Sequence, residues 1–435
     1  MNTKDQLEEI RTGKQDLSSY IRICCDLLEA ENPHVHAIVE TTYDRDRIEA
    51  DVARLIERFP DPTSRPALFG LPIGVKDIIR VDGLPTKCGS RLPDNLFSGP
   101  EADCVTRMKR AGAIVIAKTV TTEFAAFQPG PTCNPHRFTH TPGGSSSGSA
   151  AAVSKGFFPF GFGTQTIGSI ARPAAFCGVV GFKPSWSRIA TGGVVEYSRT
   201  MDHVGWLCND TSALSQLAGV LIANWNPAPR IQNPNDVVIG IPEGPYLEQA
   251  SNPELQRFSD LVARLQGHHL TIRSCPALQN IEQMRQEHLQ LVNGELARVH
   301  HDWYARYSHD YAAKTAELIE TGQHISDKEL RNLIRNRSVH QQQVEQTMDH
   351  YQLDYWIAPG AVDLAPEGLD STGDPIMSLP WTHTGLPTVS IPARSTFSDL
   401  PHGIQLVGRF GKDEQLVEMA SEIAKRLHHS IPETT

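Results

Sequence analysis

The sequence predicts an α/β protein in which a sheet is covered by helices on both faces. Three observations predict it. From Leu71 onward, short strand-like runs alternate with helical ones, the pattern of a sheet with helices packed on both sides. Between Thr141 and Phe182 the chain carries 9 of its 33 glycines and only two charges, Lys155 and Arg172. An overall charge content of 21% would place about nine there. That window is nevertheless broken by Ser, Gln and Pro, so it lacks the roughly 20 uninterrupted apolar residues of a spanning helix and reads as the interior of a soluble protein.

Taken in order, the first sixty residues place apolar side chains at helical spacing, at Leu7 and Ile10, then over 17–31 and 44–59, which predicts two or three amphipathic helices ahead of the main fold. Leu71-Pro72-Ile73-Gly74-Val75-Lys76 reads as a buried strand, 103–111 as a helix and 114–117 as a second strand. Ala150-Ala151-Ala152-Val153 are good helix formers. The polar, Pro-rich Trp225-Asn226-Pro227-Ala228-Pro229 reads as a loop between two parts of the fold, and 237–241 restarts a strand. Residues 280–351 are almost wholly helical in period and charged on one side, with pairs such as Glu329 and Arg331. They are expected to form a peripheral layer that shapes a pocket. Strands return at 355–359 and 388–392, and a helix closes the chain over 413–427. The expected organisation is N-terminal helices over 1–62 packed on one large unit over 63–435, with no internal repeat.

Composition bounds the function. The 435 residues hold 40 basic and 50 acidic side chains, a net charge of −10, which gives no basic footprint for nucleic acid. Eight cysteines are scattered without a CxxC, as free thiols in a reducing cytosol would be. The N-terminus is charged where a secretory signal needs an apolar core, so neither export nor a membrane anchor is expected and the cytoplasm is the expected location. A homodimer is the default assembly.

The chemistry lies in the charge-poor window. Thr141-Pro142-Gly143-Gly144-Ser145-Ser146-Ser147-Gly148-Ser149 would pass for a flexible linker, but it feeds directly into a helix, which puts its serines where caps and free N–H groups collect. Phe160-Gly161-Phe162-Gly163-Thr164-Gln165-Thr166-Ile167-Gly168-Ser169 is a strand running into a tight Gly-containing turn. Such a turn presents a hydroxyl and aims consecutive N–H groups at one point, where an oxyanion could be held. Ser169 is therefore a candidate nucleophile, or a serine that only satisfies its turn. A serine nucleophile needs a base. None of the 18 histidines has an evident acidic partner, and the pairs His268-His269, His300-His301 and His428-His429 sit in polar text that reads as solvated surface. There is no HExxH and no zinc spacing. Lys76 stands in strand text, where burial would cost its charge and leave a neutral amine able to act as a base. It could equally snorkel to solvent or pair with Asp77.

Together these residues resemble the amidase signature family. The matching text is Leu71 to Asp77, Lys118-Thr119 with Glu123-Phe124, Pro142 to Ser146, Gly163 to Ser169, Arg172 to Pro184, Thr384-Gly385-Leu386-Pro387 and Leu400 to Gly408. The resemblance runs over most of the chain and is densest over 70–210. It implies a central mixed sheet covered by helices on both faces and an amidohydrolase using no cofactor and no metal, acting on a small-molecule amide. It also implies a triad of Ser169 as nucleophile, Ser145 as bridge after a cis Gly144–Ser145 peptide, and Lys76 as base. The oxyanion would rest on the backbone N–H groups of Thr166, Ile167, Gly168 and Ser169.

Departures bear on the substrate. Where many members read Asp-x-Gly-Gly-Ser-x-Arg, this chain reads Gln165-Thr166-Ile167-Gly168-Ser169-Ile170-Ala171, and its arginine falls one place later, at Arg172. Ile167 would add bulk beside the acyl group. The departures point away from the glutaminase-type component of a tRNA-dependent amidotransferase and towards a stand-alone amidase cleaving a carboxamide or urea-type bond. The amidotransferase component is the alternative, and a non-catalytic binding protein the third reading. Specificity is expected from the helical layer and the loops around Phe127, Thr132 and Trp381.

Overall fold

A computed structural model describes residues 1–228, 231, 233–393 and 399–428, without the side chain of 428. Pro229 and His429, named in the loop and histidine-pair expectations, lie outside the described residues.

Among the described residues ten strands form one sheet: β1 (Pro72–Lys76), β2 (Ile114–Thr119), β3 (Phe160–Gln165), β4 (Val180–Lys183), β5 (His203–Cys208), β6 (Val238–Glu243), β7 (Thr271–Pro276), β8 (Tyr355–Pro359), β9 (Thr388–Ala393) and β10 (His402–Val407). Their order is β2-β1-β3-β5-β4-β9-β10-β8-β6-β7. The sheet is mixed. β2, β1 and β3 are parallel at one side and β8, β6 and β7 at the other, while the pairs between β3 and β8 are antiparallel. Parallel strands need helical crossovers, and these cover both faces.

Alternation along the strands sorts the core. Ile73 and Val75 of β1, Phe160 and Phe162 of β3 and Val204 and Trp206 of β5 join one cluster with Val105, Leu214, Phe258, Leu261, Leu416 and Ile423 from the helices of that face. On the other face Ile114, Ile116 and Leu207 pack with Ile21, Leu28, Ile48, Val52 and the alanines 150–152. The helices Leu17–Val35 and Arg45–Arg58 thus share a core with Ser147–Lys155. Gly74 faces that side at a point where a Cβ would lie 2.2 Å from the Phe158 ring, so the close approach of β1 to Phe158 excludes any side chain.

The helices Thr3–Arg11, Leu17–Val35 and Arg45–Arg58 stand where amphipathic period placed them. The stretch 280–351 is helical as expected, in four segments: Ile281–Val299, His301–Tyr307, Ala313–Gln323 and Asp327–His350. Within it, Glu329 pairs not with Arg331 but with Ser326 in a capping box, because residues two apart on a helix do not face each other. The surface reading of His300 is also wrong. Its ring is fully buried, with Nδ1 2.8 Å from the Tyr311 hydroxyl and Phe124 and Trp303 against its edges, while His301 is exposed. All eight cysteines are free and buried. Among the described residues no helix is long and apolar enough to cross a membrane.

Candidate active site

Parallel pairing of β1 with β3 sets Val75 opposite Phe162, so the strand ends Lys76 and Thr164 come together at one edge of the sheet. There Lys76 is fully buried, and its Nζ donates to Ser145 Oγ at 2.7 Å and to Thr164 Oγ1 at 2.8 Å. Neither alternative for this lysine holds. It does not reach solvent, and Asp77 is paired instead with Lys118 at 2.9 Å. Burial holds the Lys76 ammonium well below its usual range, against the opposing charge of Asp202.

The Gly144–Ser145 peptide is cis, and the Ser145 side chain lies against Lys76. The chain then enters the helix Ser147–Lys155. Its N-cap Ser146 does not cap it with the side chain, contrary to the expected role of these serines, because Ser146 Oγ is turned to the backbone of Thr164 at 3.3 Å.

After β3, residues 166–169 make a turn that ends in the helix Ala171–Cys177. Gln165, the residue standing where many relatives carry an acid, organises this turn. Its Oε1 accepts from the N–H groups of Ile170 (2.8 Å) and Ala171 (2.9 Å), and its Nε2 donates to Thr382 Oγ1 (2.9 Å). Thr382 in turn donates to the Ile167 carbonyl at 2.5 Å. With those donors used, the N–H groups of Thr166, Ile167, Gly168 and Ser169 bond to no acceptor among the described residues. Ser169 is 8% exposed, and among the described residues its hydroxyl makes no hydrogen bond.

Ser169 opens on a narrow, nearly filled cavity lined by Ala125, Ala126, Phe127, Ile167, Tyr197, Pro375 and Arg172 beside the turn itself. Of the residues expected to govern specificity only Phe127 lines it. Trp381 is wholly buried against Tyr246, and Thr132 bonds the His36 carbonyl. The helical layer acts at one remove. Glu295 accepts from Ser198 Oγ, Thr200 N and Thr200 Oγ1, holding the loop that carries Tyr197. Sequence reading missed Asp202, which accepts from Thr166 Oγ1 at 2.6 Å and from the N–H groups of Tyr197 and Ser198. Burial pushes its carboxyl up to about 6, although those hydrogen bonds favour the ionised form. Its one sequence signal was an acid directly before an apolar strand.

Glu287, His340 and His383, far apart in sequence, bring ligand atoms within 4.8 Å of one another. His340 Nε2 lies 3.0 Å from Glu287 and His383 Nδ1 3.2 Å from His288, while His383 Nε2 has no hydrogen-bond partner among the described residues. The guanidinium of Arg337 on the His383 carbonyl adds a cation that disfavours a second one.

Known proteins are similar to this chain in sequence and in fold. The Amidase family model matches residues 19–417. The A component of the glutamyl-tRNA(Gln) amidotransferase from Synechococcus sp. (strain WH7803) is 29% identical over 447 residues, covering 91% of each chain. A solved amidase superposes with a TM-score of 0.89 at 27% identity, covering 98% of this chain and all of that one. The native peptide amidase from Stenotrophomonas maltophilia, at 21% identity and a TM-score of 0.81, covers 100% of this chain and 98% of its own, and shares the fold.

Proposed function

The chain belongs to the Amidase family, and from that premise we propose that it hydrolyses a carboxamide or urea-type C–N bond of a small molecule through an acyl-enzyme on Ser169, releasing a carboxylate and ammonia or an amine. The observation that carries the reading is the 2.7 Å contact between Lys76 Nζ and Ser145 Oγ in a fully buried setting that favours a neutral amine.

In this mechanism Ser169 Oγ attacks the amide carbonyl and passes its proton to Ser145 Oγ, while the Ser145 proton moves to Lys76 Nζ. The carbonyl π pair becomes an oxyanion facing the free N–H groups of 166–169. Collapse reforms the carbonyl and breaks the C–N bond, and the proton returns through Ser145 to the leaving nitrogen. Water then repeats the sequence on the acyl-enzyme and restores Ser169. The contact between the Ser169 and Ser145 hydroxyls is one that forms on substrate binding, as catalytic hydrogen bonds often do.

The test is amine and ammonia release by the purified chain across primary, aryl, hydrazide and urea-type amides. Turnover should vanish in Ser169→Ala, and a serine-directed phosphonate should add mass to the Ser169 peptide alone. Equal turnover by the variant would sink the assignment.

A second reading has one observation in its favour: the amidotransferase name of the Synechococcus relative. Copurification of a stoichiometric partner from the native host, with glutamine-dependent amidation, would decide for it. Activity of the isolated chain on simple amides would decide against it.

A further inference from the structure

Away from the Ser169 cavity, three segments bring metal-ligating side chains to one place, and the amide chemistry uses none of them. Glu287 and His288 stand on the helix Ile281–Val299, His340 on the helix Asp327–His350, and His383 ends the short helix Leu379–His383. One donor atom each from Glu287, His340 and His383 lie within 4.8 Å of one another. Both histidines are buried, and the Glu287 side chain is 12% exposed. His383 Nδ1 meets His288 Nδ1, while His383 Nε2 is buried with no partner among the described residues, so this ring has a nitrogen to give. A buried polar atom seldom goes unmet.

From this grouping we infer that Glu287, His340 and His383 form a structural site for one divalent transition-metal ion, with zinc the best match. Two imidazoles and a carboxylate suit zinc or cobalt, whereas calcium and magnesium ask for oxygen ligands throughout. Ligand atoms on a tetrahedral zinc stand about 3.3–3.6 Å apart, given bonds of about 2.0–2.2 Å. His340 Nε2 and Glu287 Oε2, at 3.0 Å, are close to that spacing already, so the main adjustment is an approach of the His383 ring by about 1 Å. An outer shell is also in place. With Nε2 on the ion, His383 Nδ1–H donates to His288 Nδ1. The Asn280 carboxamide lies 3.2 Å from His340 Nδ1, and turned over it offers Oδ1 to the Nδ1–H of a metal-bound ring. Arg337 opposes the ion, and Glu287 brings the negative charge that offsets it. The guanidinium of Arg337 is itself engaged elsewhere, with Nη1 on the Thr200 carbonyl at 2.7 Å and its plane over the Trp186 ring. The partly exposed edge of Glu287 gives the ion a way in. Bound there, the ion ties two helices of the 280–351 layer to the helix whose Thr382 holds the Ile167 carbonyl.

The experiment strips the purified full chain with a chelator and titrates it with zinc, and separately with cobalt, by calorimetry and visible absorption. One zinc per chain should bind, and cobalt should show the visible bands of a four-coordinate ion. Glu287→Gln and His340→Gln should each weaken zinc binding by about a hundredfold or more, and Asn280→Ala, which touches only the outer shell, by about tenfold. Zinc should raise the thermal midpoint of the wild-type chain and leave that of the two ligand variants where it was, because only an ion bound to the folded state stabilises it. If either ligand variant does not fold, Asn280→Ala decides, and unchanged affinity in it overturns the inference. Zinc bound equally well by all the variants sits elsewhere on the chain and overturns it too, as does a wild-type chain that takes up no stoichiometric zinc or cobalt.

Discussion

At the scale of single residues, Lys76 shows how placement sets chemistry. An ordinary lysine is protonated at neutral pH and cannot accept a proton. Full burial beside two hydroxyls favours the neutral amine, so the base form is populated above the depressed pKa and lost as pH falls through it. The pH profile of kcat/KM on a neutral amide should therefore carry an acidic limb that belongs to the free enzyme. Lys76→Met should lower kcat/KM by about 10²–10⁴-fold and remove that limb; a rate flat down to the unfolding pH would count against lysine as the base. In the sequence Ser169 stands out by its tight turn and Lys76 by its strand text, whereas the part given to Ser145 comes from the family resemblance. Asp202 and Tyr197 were not, because nothing local separates a buried acid or phenol from an exposed one until the loop before β5 is folded against the turn after β3.

At the scale of elements, the turn after β3 depends on Gln165. One carboxamide caps the helix Ala171–Cys177 through two N–H groups and ties the turn to Thr382 on a helix more than two hundred residues away. Gln165→Leu would leave those buried groups unpaired, at a cost of about 1–3 kcal/mol. It should lower the unfolding midpoint in urea and, on the proposed mechanism, reduce kcat more than KM, because the free N–H groups of 166–169 lose their alignment. A second dependence runs through the helical layer. Glu295 carries three hydrogen bonds to the loop bearing Tyr197, so Glu295→Ala should raise KM for the preferred amide severalfold with a smaller change in kcat. Periodicity foretold that the layer over 280–351 is helical, since amphipathic spacing is a local property. That the layer shapes a pocket was expected; the route, through Glu295 and the loop bearing Tyr197, was not, because it depends on which loop Glu295 meets.

At the scale of the whole molecule, β1 and β2 are joined by a buried ion pair, Lys118 on β2 with Asp77 just after Lys76. Lys118→Met would strand Asp77, whose carboxyl burial already pushes up, in an apolar interior. The expected loss is about 3–5 kcal/mol, read as a lower thermal midpoint, and Lys118→Met with Asp77→Asn together should recover part of it. A double variant no more stable than Lys118→Met would show that the pair contributes nothing beyond its packing. Sequence by itself determined the class of fold, the helices and strands with strong period, and the glycine-rich, charge-poor window, because periodicity, composition and motif order are written along the chain. Only the tertiary structure decided the rest: the order of ten strands, the partner of Asp77, the role of Gln165, and the meeting of Glu287, His340 and His383. Hydrogen bonding and desolvation act between groups brought within a few ångströms, and here those groups come from segments as much as 217 residues apart.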